Sequence, residues 1–182
     1  MKLGIEKIES INEDNKGKYI FAPGNSNRDY EFLIKTLENT KYKLKILGTV
    51  KNKKKVNNIE ILNNIYGNEY YKLLKNSYCI VIPLIDEKIS SGQLVILQAM
   101  QLGKPIIITE NNSINDYILN NYNGIIIKKD PDKLIEVLEK VYNDKNFYNK
   151  LVFNGKKEYE NNYSLEVLGK NIGKLILKED ER

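Results

Sequence analysis

The chain has 182 residues and a formal net charge of +5, from 29 Lys and Arg against 24 Asp and Glu. This length predicts one domain, and the 41% hydrophobic and 29% charged residues are typical of a globular protein rather than of a disordered or coiled-coil chain. The absence of His excludes an imidazole base or metal ligand, and the single cysteine, Cys79, excludes an internal disulfide.

Short apolar runs and amphipathic periods alternate along the chain from about Tyr19 onward. Runs of β-branched and aromatic residues predict buried strands, and apolar residues at a 3.6-residue period predict surface helices. In chain order, the first half is predicted to contain strand Tyr19–Ala22, helix Asp29–Asn39, strands Leu44–Leu47 and Ile59–Leu62, a helix after Gly67, and strand Cys79–Pro83. Residues 1–18 precede this pattern and are interpreted as a linker-like segment.

The second half continues the alternation and then becomes helical. Its predicted elements are helix Gln93–Leu102, strand Pro105–Thr109, a short helix Ile114–Leu119, strand Gly124–Lys128, and helices Asp130–Tyr142, Lys145–Tyr159 and Leu165–Leu177. Strands that alternate with helices build right-handed βαβ units. We therefore predict one α/β domain, residues 19–182, with a Rossmann-like open parallel sheet, helices on both faces, and C-terminal helices packed back on it.

Ligands bind beyond the carboxyl ends of the strands in such sheets, so the turns there are candidate sites. In the turn after the first strand, the backbone N–H groups of Gly24 and Asn25 can face an anion, and Arg28 can grip phosphate oxygens. The alternative is an ordinary turn in which Arg28 pairs with Asp29 or with solvent. The turn lacks a G-x-G-x-x-G pattern, so a nicotinamide cofactor is not expected.

The second candidate turn, Ser90–Gln93, opens a helix whose positive end would face a ligand. Gly92 allows a diphosphate to approach the backbone N–H groups closely, and Gln98 lies within reach of ribose hydroxyls. The simpler alternative is that Ser90 or Ser91 caps the helix.

The third candidate turn contains Ile65 and Tyr66, which either line a pocket for a base or leave a half-buried tyrosine at the surface. Two other features are interpreted structurally. Asp130–Asp132 spells D-x-D, but the proline between the aspartates favours a helix start over a metal site. Cys79 lies in an apolar run and is interpreted as a small core residue.

Several short motifs follow one another in a recognisable order. They are Ala99–Met100, Gly103–Lys104–Pro105, Asn123–Gly124 and Asp130–Pro131, preceded by FAPGNSNRDYEFLI and followed by Tyr163–Glu166. Together they resemble the donor-binding domain of GT-B glycosyltransferases, retaining family 4. The resemblance covers nearly the whole chain from about Tyr19 and implies a single GT-B half.

The resemblance also implies a nucleotide-diphosphate sugar that is bound without a metal or other cofactor. The implied contacts are Gly24, Asn25, Arg28, Gly92, Gln93 and Leu94 for the diphosphate, Ser90 and Ser91 for the donor sugar, Gln98 for the ribose, and Ile65 and Tyr66 for the base. The family usually has Glu where this chain has Ser90 and Gln98. No catalytic residue is assigned.

The implied function is a donor-binding domain that transfers a sugar from a nucleotide diphosphate to a glycan, lipid or small acceptor. Because a GT-B enzyme closes two Rossmann domains over its substrates, we expect a separate N-terminal acceptor-domain protein and little transfer by this chain alone. Two alternatives stay open. One is a catalytically inactive nucleotide- or protein-binding module, and the other is a sugar-nucleotide enzyme such as an epimerase, which normally needs carboxylates and His.

The basic residues and the hydropathy bear on location. No apolar stretch approaches the roughly 20 residues of a membrane-spanning helix, and the charged first residues are unlike a signal peptide, so we expect a cytoplasmic protein. The densest basic run, Lys51–Lys55, lacks interleaved aromatics, so nucleic acid is not an expected partner. The same run suits peripheral contact with anionic lipid at the inner face of the membrane.

Overall fold

Six strands and six helices build the computed structural model, which describes residues 3–8, 17–51 and 55–179. The strands are β1 (Tyr19–Pro23), β2 (Lys43–Leu47), β3 (Ile59–Leu62), β4 (Cys79–Ile82), β5 (Ile106–Thr109) and β6 (Ile125–Ile127). The helices are α1 (Tyr30–Leu37), α2 (Gly67–Asn76), α3 (Gln93–Gln101), α4 (Pro131–Asn143), α5 (Lys145–Asn162) and α6 (Leu165–Glu179). Every predicted strand is confirmed, and one predicted helix is not.

The strands form one parallel sheet in the order β3-β2-β1-β4-β5-β6. Strand β1 pairs with β2 along its whole length and on its other side with β4, through Ile20 with Cys79 and Phe21 with Ile80. The order of strand addition therefore reverses between β1 and β4. In open parallel sheets such a switch point leaves a crevice at the carboxyl ends of the strands. The predicted Rossmann-like sheet is confirmed.

Successive residues of the strands point into two hydrophobic cores, one on each face of the sheet. Ile20 and Ala22 pack with α1 and α4 on one face, whereas Phe21 packs with α2 and α3 on the other. Helix α5 contributes Leu151 to the first core and Tyr159 to the second, and it also contacts α6. Because both faces are covered, the strands are apolar on both sides, which explains their uninterrupted β-branched runs.

Three helices begin at an aspartate whose carboxylate accepts the backbone N–H three residues further on. The distances are 3.0 Å for Asp29, 3.1 Å for Asp130 and 2.9 Å for Asp144. Each cap satisfies an N–H group that has no partner inside its helix. The interpretation of Asp130 as a helix start is confirmed. Asp29 also forms an ion pair with Lys129 at 3.0 Å.

The predicted short helix Ile114–Leu119 is wrong, because this segment forms turns. The Asn123 side chain donates to the Tyr117 carbonyl at 2.9 Å and accepts the Leu119 N–H at 2.7 Å. These bonds take backbone groups that a helix needs for its own hydrogen-bond ladder. The two isoleucines of the segment are buried, so its helix-like apolar spacing reflects anchoring of the turns in the core.

The first described segment, residues 3–8, contacts the C-terminal part of the domain. The Ile5 N–H donates to the Tyr163 carbonyl at 2.9 Å, and the Ile5 carbonyl accepts from the Tyr159 hydroxyl at 3.1 Å. Residues 9–16 of the predicted linker-like segment, and residues 52–54 of the Lys-rich run, lie outside the described residues. The domain bounds 19–182 stay a prediction.

Buried thiol and phenol groups predict a loss of stability at alkaline pH. Burial raises the pKa of Cys79, Tyr19 and Tyr163, each to about 12. In the unfolded chain these groups lose their protons near pH ~8.5 for Cys and ~10 for Tyr, whereas the folded chain keeps them to higher pH. Each group therefore lowers the free energy of unfolding by up to about 1.4 kcal/mol per pH unit between its two pKa values. We expect urea midpoints to fall from about pH 9 to about pH 12, and constant midpoints would contradict this.

Candidate functional site

A cavity of about 340 Å³ opens at the carboxyl edge of the sheet, beside the switch point. Its lining comes from residues 23–25, 47–49 and 63–67, together with Tyr70 and Val95. The structure thus brings the predicted base residues, Ile65 and Tyr66, to the same cavity as the turn after β1. The Tyr66 ring lies at the surface, with 77% of the residue exposed.

Arg28 folds back over the turn that contains Gly24. Its Nε donates to the Pro23 carbonyl at 3.2 Å, and its Nη1 donates to the Ser26 carbonyl at 2.7 Å and to the Ser91 hydroxyl at 3.0 Å. A Cβ on Gly24 would lie only 2.8 Å from Nη2, so this glycine leaves room for the guanidinium. Burial lowers the pKa of Arg28, but a guanidinium stays protonated at neutral pH. Arg28 therefore joins two of the candidate turns and places a positive charge between them.

Helix α3 begins at the second candidate turn. Gly92 is its N-cap, has a φ of +96°, and provides no side-chain hydrogen bond to the first turn of the helix. The Ser90 hydroxyl accepts from the Gln93 side chain, and Ser91 binds Arg28, so neither serine caps α3. The backbone N–H groups at a helix start have no intrahelical partner. Those of Gln93 and Leu94 are therefore suited to an anion.

Gln98 is too deeply buried to contact a ribose in the cavity directly. It is 6% exposed, and its Oε1 accepts a hydrogen bond from the Tyr70 hydroxyl at 2.7 Å. Tyr70 lines the cavity and Gln98 does not. The structure therefore does not bring Gln98 to the lining of the cavity, and Tyr70, which the sequence analysis did not single out, lies between them.

Two asparagines that the sequence analysis did not single out hold the loop between β4 and α3. The Asn27 amide donates to the Asp86 carbonyl and accepts the Asp86 N–H, both at 2.9 Å. Asn111, 5% exposed, donates to the same carbonyl at 3.0 Å and to that of Ile89 at 2.9 Å. Asn27 has a φ of +55°, which Asn tolerates better than most residues, and this preference is a weak sequence signal.

The residues that form the crevice lie within a segment that matches a known protein family. The family model of the glycosyl transferases group 1 matches residues 5–158, which include every candidate site residue named above. The chain belongs to the glycosyl transferases group 1. The resemblance to a glycosyltransferase family predicted from the sequence is confirmed.

Individual relatives of this group 1 domain are longer than the chain. It is 26% identical to an uncharacterised glycosyltransferase of Methanocaldococcus jannaschii over 178 residues, which are 96% of this chain and 41% of that protein. It is also 26% identical, over 145 residues, to the capsular polysaccharide biosynthesis glycosyltransferase CapM of Staphylococcus aureus, covering 69% of this chain and 38% of CapM. The chain thus spans less than half the length of these two curated relatives.

Solved glycosyltransferase structures share the fold of this group 1 domain. Anabaena HepE, crystallised with UDP-glucose, superposes with a TM-score of 0.71 at 11% identity, covering 88% of this chain and 49% of HepE. The C-terminal domain of the group 1 protein LpcC from Francisella tularensis superposes with a TM-score of 0.69 at 16% identity, covering 89% of this chain and all of that domain. The predicted single GT-B half is confirmed, and membership of family 4 stays a prediction.

The backbone conformation of Gly92 at the start of α3 predicts that a side chain there would strain the group 1 domain. Gly92→Ala should lower the free energy of unfolding by about 1–2 kcal/mol, because its φ of +96° disfavours any L side chain and the new Cβ would lie 3.3 Å from Ile82 Cγ2. Gly169→Ala in α6 is the control, since its Cβ would meet nothing within 4 Å and should stabilise the helix by about 0.5–1 kcal/mol. Urea unfolding of both variants tests this, and effects of the same sign would contradict it.

Proposed function

We propose that this group 1 domain is the donor-binding half of a glycosyltransferase that transfers a sugar from a nucleotide-diphosphate sugar to a glycan, lipid or small acceptor. One observation carries the proposal. The Arg28 guanidinium and the uncapped start of α3 converge at the switch-point crevice, beside a cavity that can hold a base. A cation and a helix N-terminus together favour a diphosphate. The UDP-glucose complex of HepE, which shares the fold, supports a nucleotide sugar as the ligand.

In the proposed complex the donor lies along the carboxyl edge of the sheet. The base occupies the cavity beside Ile65 and Tyr66, and the ribose lies next to the Tyr70 hydroxyl, which Gln98 orients through its hydrogen bond. The donor sugar lies near Ser90 and Ser91. The diphosphate is bound between the two turns, by Gly24, Asn25, Arg28, Gly92, Gln93 and Leu94.

The chemical contribution of these residues is electrostatic. When the bond between the anomeric carbon and the diphosphate breaks, negative charge grows on the leaving phosphate oxygens. Arg28 and the α3 N–H groups stabilise this charge more in the transition state than in the ground state, which lowers the barrier. The Ser90 hydroxyl orients the sugar by a neutral hydrogen bond, and Ser91, whose hydroxyl donates to the Ser26 carbonyl at 3.0 Å and accepts from Arg28, holds the turn in place beside the sugar. Retaining hexosyl transfer of the family 4 type is part of the proposal.

Acceptor binding is assigned to a second domain, supplied by a separate N-terminal-domain protein or by further sequence of a longer chain. The greater length of the curated relatives supports this assignment. No helix within the described residues is both long and apolar enough to cross a membrane. A cytoplasmic location, with contact at the inner face of the membrane, belongs to the proposal.

Calorimetric titration of the purified chain with UDP, GDP and ADP, followed by UDP-sugars, tests the donor site. We expect saturable binding of one nucleotide, with the same affinity in EDTA, because Arg28 and the α3 start supply the positive charge that a divalent cation would otherwise provide. Loss of binding in EDTA would contradict metal independence. No binding of any nucleotide would contradict the donor site and favour a protein-binding module.

A further inference from the structure

Another cavity lies at the opposite edge of the sheet from the donor crevice. Its volume is about 630 Å³, and residues that directly precede strands β1, β4 and β5 form one of its walls. Strands of four to five residues separate it from the donor crevice by roughly 13–17 Å. It is therefore a different site from the one proposed to bind the nucleotide.

Four lysines border this cavity, Lys18, Lys104, Lys145 and Lys156, and none of its described lining residues is acidic. We name this cavity the lysine cleft. The whole chain has 24 acidic and 29 basic residues. The described lining of the lysine cleft, with four lysines and no acid, therefore has a more positive charge balance than the chain as a whole. Lys18, Lys145 and Lys156 form no ion pair with any residue that the structure describes. Lysines that border one cavity without an acid in its described lining make its local electrostatic potential positive, which favours a bound anion.

Three tyrosines also line the lysine cleft: Tyr78 just before β4, Tyr142 in α4 and Tyr148 in α5. The rings of Tyr78 and Tyr142 stack at 4.2 Å between centroids, and Tyr78 and Tyr148 lie 4.8 Å apart. Mutual packing holds these rings in place. Packed aromatic rings beside lysines suit a ligand with an anionic group and a less polar body.

The lysine side chains reach the cleft from three backbone segments. Lys145 and Lys156 lie on the same face of α5, because eleven residues make about three full turns, and their Cα atoms are about 16 Å apart along the helix axis. Lys156 lies over Gly103 at the end of α3, where a Cβ would be only 2.5 Å from its Cε. The missing side chain of Gly103 therefore leaves the space that this lysine occupies. Lys18 and Lys104 border the cavity from the segments that precede β1 and β5.

We propose that the lysine cleft binds a phosphate-bearing group, either on a small phosphorylated molecule or on the headgroup of an anionic lipid. A phosphate offers several strong acceptor oxygens and up to two negative charges, which suits a cavity bordered by lysines. This site is independent of nucleotide binding at the donor crevice.

Pyrophosphate and matched lysine variants of α5 test the proposal. The cleft variant is Lys145→Gln with Lys156→Gln, and the control is Lys150→Gln with Lys157→Gln, which makes the same charge change at exposed positions outside the cleft on the same helix. Calorimetry at low salt, with UDP in excess, should show pyrophosphate affinity reduced roughly tenfold or more in the cleft variant and less than about twofold in the control. Both variants should keep the unfolding midpoint of the original chain, since all four substituted lysines are exposed.

Vesicles distinguish the two sources of the phosphate. Sedimentation with phosphatidylcholine vesicles that contain phosphatidylglycerol should show selective loss of binding by the cleft variant if the ligand is a lipid headgroup. Equal sedimentation of both variants, with a selective loss for pyrophosphate, assigns the cleft to a small phosphorylated molecule. The proposal is overturned if neither probe separates the cleft variant from the control. Because the comparison is between variants remote from the crevice, a failure to bind UDP would not affect it.

Discussion

Replacing Arg28 with alanine should weaken binding of the preferred nucleotide by roughly 10- to 100-fold, because a charge-assisted hydrogen bond to phosphate contributes about 1.5–3 kcal/mol. The same change removes the bonds that Arg28 makes to Pro23, Ser26 and Ser91, so the two turns also lose a link. The bonds to Pro23 and Ser91 are partly buried, but Arg28 belongs to neither hydrophobic core, so we expect the chain to fold. Calorimetric titration and urea unfolding on the same sample separate the two effects.

Two further variants show whether geometry or charge is responsible. Arg28→Lys keeps the charge but loses the planar set of donors, so its affinity should lie between those of the original chain and the alanine variant. Lys129→Ala removes a cation that pairs with Asp29, the residue after Arg28. This change should alter nucleotide affinity less than about twofold, as expected of an exposed ion pair. Original affinity in Arg28→Ala, or an equal loss in Lys129→Ala, would contradict the assigned role.

Asn111→Ala should release the loop between β4 and α3 and lower the free energy of unfolding by about 1–3 kcal/mol, the cost of hydrogen bonds lost at a buried site. Its amide holds two carbonyls of that loop, and its Oδ1 accepts the Ser113 N–H at 2.9 Å. Because Ser90 and Ser91 follow the held segment, nucleotide-sugar affinity should fall as well. Hydrogen exchange of residues 85–91 should accelerate in the variant.

The neighbouring Asn112 provides a matched control for this prediction. It is exposed, and its backbone N–H, rather than its side chain, donates to the Glu87 carbonyl at 2.9 Å. Asn112→Ala should therefore change stability by no more than about 0.5 kcal/mol and leave exchange of the loop unaltered. The role of Asn111 is refuted if the two alanine variants behave alike.

The fold was predictable from the sequence because its strongest determinants are local. Buried parallel strands are continuous β-branched runs, and PIIIT at Pro105–Thr109 can form little else between a helix-ending glycine and a polar turn. Asp29 and Asp130 mark helix starts by a side-chain contact that spans only three residues. The segment at 114–119 was mispredicted because the competing bonds come from Asn123, beyond the window that the periodicity covers.

The sequence predicted which turns meet at the candidate site, because the strand topology determines this, but it did not predict how deep each side chain lies. The rule for parallel sheets places every βα turn at one edge, and this brought Gly24, Asn25 and Tyr66 to one cavity. The depth of a side chain along a helix depends on how the helix rotates against its neighbours. For this reason Gln98 lies behind Tyr70, although its position in the sequence suggested a ribose contact.

The strand order also has a consequence for how the domain assembles during synthesis. Strand β1 meets β2 early, because few residues separate them, but its pairing with β4 waits until α2 has been made. Closing that longer loop is entropically costly, and such non-local pairings slow folding. The crevice between β1 and β4 therefore forms later than the pairing of β1 with β2. A nucleotide bound there would stabilise chains in which β1 and β4 have paired, and would thereby protect them from proteolysis.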